Sequence, residues 1–376
     1  MFRYPLGGMQ SWSLQYMLGL KDLGHEVFFF EKYGYPDSCY DPVMEVMSND
    51  CTYGVKECSA VLTEYGLGDN WCFVAYGDVY HGLSKNQVEQ VFKTADVYLD
   101  MGAYGNWAEE SAVVPIQVLI EGEPGYAQIK MMERAAKGNP LPPYHFYFTN
   151  GFNLGLPGNI APTAGLEWGH LFHPVKTALF PVRPSVKGDP YTAIMNWRAQ
   201  VPVEYNGRIY GQKDVEFMQF IDLPSMVSMP MEIALAGGAA AKDVPVDMIR
   251  EHGWTVRNSR KATITFNAYR DYLSQSRGEF RVCKNIFVAM RVGWFSDVSA
   301  AYLASGRPVV AQETGFSDHL PTGRGLFAVN NPVEAAEALN EIESDYEKHS
   351  QGAREIACEF LESEKVMKRF MQRIGC

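Results

Sequence analysis

Gly293-Trp294-Phe295-Ser296-Asp297 runs into a helix that ends at Ala304-Ser305-Gly306, and Arg307-Pro308-Val309-Val310 follows at once. The order is capping residue, short helix, glycine turn, buried strand. Ser296 or Asp297 is a good N-cap, because a short side-chain oxygen can accept from the free N–H groups of the first turn. A helix start of this kind carries partial positive charge and suits a diphosphate. An inward-pointing Asp297 would repel that anion, so Ser296 is expected toward ligand and Asp297 turned to backbone. Taken alone, the stretch also fits an ordinary capped helix with a buried Trp294-Phe295 pair. Position decides between them. The strand exits through Gln312-Glu313-Thr314-Gly315-Phe316, and ligands of open α/β sheets sit beyond the carboxyl ends of the strands.

The alternation extends outward from there. Strands are expected at 191–196, 232–236, 255–256, 280–284 and 308–312, with helices at 214–221, 246–252, 267–274 and 297–304 between them. The first half repeats the pattern. A helix at 9–24 precedes strands at 27–30, 71–75, 95–100, 115–121 and 145–149, with helices at 85–93 and 126–137. Strand–helix alternation implies parallel, doubly wound sheets. Pro181, Pro184, Gly188 and Pro190 mark a linker. The chain therefore divides into residues 1–183, 184–352 and a final helical crossing, 353–376. Only Met1 to Tyr4 precede the Gly7-Gly8 turn, so the opening strand is either very short or begins in a longer natural chain.

The second half resembles the donor-binding half of GT-B glycosyltransferases. Ala304-Ser305-Gly306-Arg307-Pro308-Val309-Val310 is similar to their helix–turn–strand phrase. Gly323-Arg324-Gly325-Leu326-Phe327-Ala328-Val329, followed by Pro332-Val333-Glu334-Ala335, resembles their closing strand and helix, and Ala353-Arg354-Glu355-Ile356-Ala357 is similar too. The resemblance spans residues 190–376, and the first half only in outline through Gly7-Gly8 and Leu23-Gly24-His25-Glu26-Val27. It implies two Rossmann-like domains facing a cleft, with C-terminal helices packing back toward the first. It also implies a metal-independent hexosyl transfer from a nucleoside-diphosphate sugar to an acceptor hydroxyl or amine, with no other cofactor. One departure matters. Many retaining members carry two glutamates before the Gly-x-Pro phrase, and those places hold Gly293 and Ala301 here. The contacts of those glutamates do not carry over, and a divergent branch is implied. Their absence also motivates a second reading, a non-catalytic sugar-nucleotide or saccharide binder that kept the fold. A third is a two-domain epimerase or a periplasmic-type binder.

Composition narrows the partners. The 376 residues carry a net charge of −11, which argues against binding a nucleic-acid backbone. No apolar run approaches the roughly 18 residues of a membrane span. Met1-Phe2-Arg3-Tyr4-Pro5 does not read as a signal peptide, and seven scattered cysteines fit reduced thiols, so a cytoplasmic setting is expected.

A diphosphate needs cations. Lys213 is read as following the first strand of the second half, Lys284 as closing the 280–284 strand, and Arg198 as following Asn196-Trp197. Trp197 or Trp294 is a candidate to stack on a base. The expected donor set is thus Asn196, Trp197, Lys213, Lys284, Trp294, Phe295, Ser296, Glu313, Thr314 and Gly315, with Gly7 and Gly8 allowing close approach of the first loop. For a catalytic base, Asp100, Glu121 and Glu123 stand at strand exits, and Gly125 allows close approach. Paired carboxylates push their pKa values apart, which suits acid–base work. His170 and His173 form no metal-ligand pattern, and no metal is expected.

Overall fold

Runs such as Met231–Leu235 and Val309–Gln312 are buried along their whole length, as strands covered on both faces must be. In the computed structural model, which describes residues 1–102, 104–236 and 243–376, they belong to one six-stranded sheet. Its order is Thr255–Asn258, Met231–Leu235, Tyr191–Met195, Gly278–Arg281, Val309–Gln312, Leu326–Val329. Every pairing is parallel. The strand laid down first lies in the middle. The next two step to one side and the last three to the other, so the order reverses between Tyr191–Met195 and Gly278–Arg281. Ligands of doubly wound sheets lodge at that reversal.

The first half forms two smaller sheets. Val97–Asp100, Ile116–Glu121, Phe146–Thr149 and Gly169–His170 are parallel neighbours. Phe29–Lys32 pairs parallel with Trp71–Ala75, which turns back into Val79–Gly82. Residues 1–6 form no strand. Phe2 is instead fully buried, with its ring 4.9 Å from Trp71 and 5.4 Å from Phe73. The hairpins Cys39–Asp41 with Val46–Ser48, and Val203–Tyr205 with Arg208–Tyr210, were not anticipated. Three-residue strands are too short to show a period of two. Helix Thr52–Glu64 also went unread.

The tail differs from the single helical crossing expected over 353–376. Helix Tyr346–Ile356 passes through a π turn, Ala357–Leu361, into helix Ser363–Ile374. The last helix buries Val366, Met367, Phe370, Met371 and Ile374. It lies against helix Gly7–Asp22 of the first half, and Gly19 makes that approach possible. A Cβ there would stand 2.7 Å from Met367 Cγ and 2.8 Å from the Ser363 carbonyl oxygen. The returning chain is stitched to the outgoing one. Val175 N–H donates to Leu361 at 2.8 Å, and Ser363 N–H donates to Val175 at 3.0 Å.

Candidate functional site

Along Gly278–Arg281, side chains alternate faces, so Glu279 and Arg281 share one. Arg281 Nε donates to Glu279 Oε1 at 2.7 Å, and both side chains are buried. Glu279 Oε2 and Arg281 Nη2 have no partner among the described residues. The site expectations missed Arg281. Its signal was charge at 277, 279 and 281, every second position of an otherwise buried strand.

Lys213 opens helix Lys213–Phe217, separated from Tyr191–Met195 by the unanticipated hairpin rather than following that strand directly. Its ammonium makes no hydrogen bond or ion pair among the described residues. Burial, then the charges of Arg281 and Lys284, push its pKa down to about 7. Lys284 lies three residues past the strand, at the cap of helix Asn285–Ala289. It is buried, ion-pairs with Glu123 and donates to Gln200 Oε1 at 3.3 Å. Three cations thus lie within electrostatic reach of one another at the strand-order reversal. Arg198 is not among them: it is largely exposed and paired with Asp214 at 2.6 Å. Asn196 is exposed at the strand exit. Trp197 is buried with its ring 5.6 Å from Phe217, inside the core of the second half.

Helix Asp297–Ala304 starts nearby. Ser296 Oγ accepts the Val298 N–H at 3.2 Å, so its oxygen serves the cap. Asp297 Oδ1 accepts from the Ser296 hydroxyl at 3.4 Å. Its carboxylate acts electrostatically on Tyr16, His173, Tyr269 and Arg281, which draw on both halves of the chain. Trp294 packs 4.9 Å from Phe287 and edge-on to His173 at 6.3 Å, and its buried Nε1 has no partner among the described residues. Phe295 packs on Phe316 at 5.3 Å. Glu313 accepts from Gly315 N–H and the Ser317 hydroxyl, so both its oxygens are engaged. Thr314 donates to the Trp294 carbonyl at 2.6 Å. Gly315 has φ 95°, and a Cβ there would lie 2.2 Å from Asn153 Nδ2.

The first-half carboxylates part company. Asp100 accepts from Tyr104 N–H, Gly105 N–H and, at 2.6 Å, the Tyr144 hydroxyl. Glu121 is fully buried and accepts from Glu123 N–H, Gln128 at 3.2 Å and Thr149 at 3.3 Å. Burial pushes its pKa up to about 8, against the pull of those hydrogen bonds. Glu123 alone of the three reaches the cations of the second half. Gly7 does allow close approach, but to the second half of the chain itself: a Cβ would lie 2.2 Å from the Thr265 carbonyl oxygen, whereas Gly8 faces open space. His170 Nε2 lies 2.9 Å from the Leu154 carbonyl. Among the described residues no group of three or more His, Cys, Asp or Glu is placed to hold a metal, and no helix is long and apolar enough to cross a membrane.

No family model matches the sequence, and no curated protein matches it. Solved structures do. An alpha-glucosyltransferase in complex with UDP-glucose and DNA containing an abasic site matches 100% of this chain and 97% of its own, at TM-score 0.59 and 12% identity. HepE of Anabaena in complex with UDP-glucose matches 92% of this chain and 98% of its own, at TM-score 0.54 and 11% identity. TarM matches 80% of this chain, which spans only 60% of TarM, at TM-score 0.50 and 11% identity. At these identities the likeness shows the fold, and the fold is GT-B: two Rossmann-like halves across a cleft, with the last helices returning to the first half.

Proposed function

We propose that this chain transfers a glycosyl unit from a nucleoside-diphosphate sugar to an acceptor hydroxyl or amine. The observation that carries the reading is the convergence of Lys213, Arg281 and Lys284 at the strand-order reversal, with Lys213 unpaired and Arg281 only half-satisfied among the described residues. Cations held this way, in a protein of net charge −11, suit a compact dianion. The solved proteins of like fold include two bound to UDP-glucose, which supports a sugar nucleotide as that anion. During transfer, charge collects on the leaving diphosphate as the sugar becomes cationic. Fixed cations and the N–H groups opening helix Asp297–Ala304 would stabilise that charge without reorganising. Glu123 is the carboxylate we assign as base. In the unliganded chain it neutralises Lys284; a donor phosphate that takes over the lysine leaves Glu123 free at the acceptor side of the cleft.

Thermal denaturation with UDP-, GDP-, ADP- and dTDP-sugars tests the reading, since a ligand that binds only the folded state raises the melting temperature. At least one is expected to do so, and Lys213→Ala with Lys284→Ala is expected to abolish the shift. A flat response to all four sinks the assignment. Binding without transfer or donor hydrolysis would make the chain a binder rather than an enzyme.

A further inference from the structure

The linker between the halves lines a cavity that glycosyl transfer does not use. Pro181 and Pro184 carry no N–H, so carbonyls outnumber donors along this backbone. Arginines meet those carbonyls. Arg270 Nη1 donates to Leu179 at 3.3 Å, and Arg354 Nη1 donates to Thr177 and Phe180, each at 3.0 Å. Arg307 Nη2 donates to Pro184 at 3.5 Å and to the Ser274 carbonyl. Arg183, from the linker itself, reaches Ser274 Oγ at 3.4 Å.

Four guanidiniums thus converge on one short segment of a chain whose net charge is −11. Arg307 is 1% exposed, and its Nε has no partner among the described residues. Asp271, 3.3 Å from Arg183, is the one carboxylate in ion-pair range of any of the four among the described residues. Both side chains of that pair are more than half exposed, so it is weak and yields readily to a stronger anion.

The cavity measures about 140 Å³, room for several waters or for one small anion. Helix Phe266–Gln275 lends it Asn267, Arg270, Asp271 and Ser274, which share one face at spacings of three and four. The linker lends Pro181 and Arg183. Ser305 also lines it, just past helix Asp297–Ala304. The partial negative charge of that helix end is offset by Arg354, which donates to the Ala304 carbonyl.

We propose that this cavity binds a phosphate group, free or as a small monoester, between the Arg183 and Arg270 guanidiniums. Planar forks of N–H donors match phosphate oxygens, and Asn267 and Ser274 add neutral hydrogen bonds. A ligand that touches both linker and helix fastens one to the other. None of the lining residues belongs to the diphosphate site at the strand-order reversal, and occupancy of the cavity does not depend on glycosyl transfer.

Titration calorimetry of the full chain with inorganic phosphate and with glycerol phosphate tests the site. It is run on the parent and on Lys213→Ala with Lys284→Ala, because phosphate otherwise also enters the diphosphate site. At least one ligand is expected to bind the lysine double variant. In that background Arg183→Gln and Arg270→Gln are each expected to weaken binding about tenfold or more, the worth of one charged hydrogen bond. Arg183 is exposed, so its replacement probes the site without threatening the fold. Arg250→Gln removes an exposed arginine on helix Val246–Glu251 and is expected to leave affinity within about twofold. Binding of both ligands assigns the phosphate group alone, and binding of glycerol phosphate only assigns an ester. Loss of all binding in the lysine double variant overturns the site, as does unchanged affinity in both cavity variants. An equal loss in Arg250→Gln also overturns it, since that would be attraction to general surface charge.

Discussion

At the level of single residues, Lys213 and Glu123 give the sharpest expectations. Lys213 is held with its pKa at about 7, below the 10.5 of a free lysine. A depressed base adds stability above its unfolded value and loses it as pH falls through the folded one. A bound diphosphate restores the charge, so binding above pH 7 takes up a proton, and donor affinity falls as pH rises from about 7 to 9. Calorimetry in buffers of different ionisation enthalpy reads the proton directly, and Lys213→Met should remove it. Glu123→Gln leaves buried Lys284 without its counter-charge. Affinity for a nucleoside diphosphate is expected to rise severalfold while transfer falls at least tenfold. A fall in both would show Glu123 acting only to hold the lysine. These positions were unequally legible. Lys284 and Glu123, 161 residues apart, were each readable as strand-exit groups, because a strand's end follows from its buried run. Their contact was not readable, since nothing local encodes the approach of the two halves. Arg281 was missed because a buried arginine looks like strand filler until its neighbours are known.

At the level of elements, the helix Asp297–Ala304 was read to its exact bounds, since Ser296 and Gly306 punctuate it. What its first turn faces was not legible: the charge of Asp297 bears on Tyr16 and His173 of the first half, which nothing local to the helix encodes. Ser296→Ala removes the cap and should lower stability by about 1 kcal/mol in a urea titration. The closing helices were misread as one because the π turn keeps the apolar stripe nearly continuous. Where Ser363–Ile374 meets Gly7–Asp22, Gly19→Val would thrust methyl groups into Met367 and the Ser363 backbone. We expect a loss of more than about 2 kcal/mol, seen as an earlier denaturation midpoint. A neutral result would mean the two helices separate easily.

For the whole molecule, doubly wound order followed from alternation alone, and the second half was clearer than the first because more of its strands are buried along their whole length. The first half hid several elements in polar or very short stretches, among them Cys39–Ser48 and Thr52–Glu64, and residues 1–6 packed as a plug rather than a strand. The two halves are joined by two passes of chain, and those passes touch: Val175 lies hydrogen-bonded between Leu361 and Ser363, and Thr177 donates to Glu362. Two bodies tethered at adjacent points behave like a door on paired pins. They can swing about one line but neither slide apart nor twist freely. Any opening of the cleft then has a single coordinate, and the separation of Glu123 from Lys284, which meet across the two halves, gauges it. A pair of fluorescent labels on the two lips should report one distance that shortens with donor, and any second, independent motion would mean the pins do not hold.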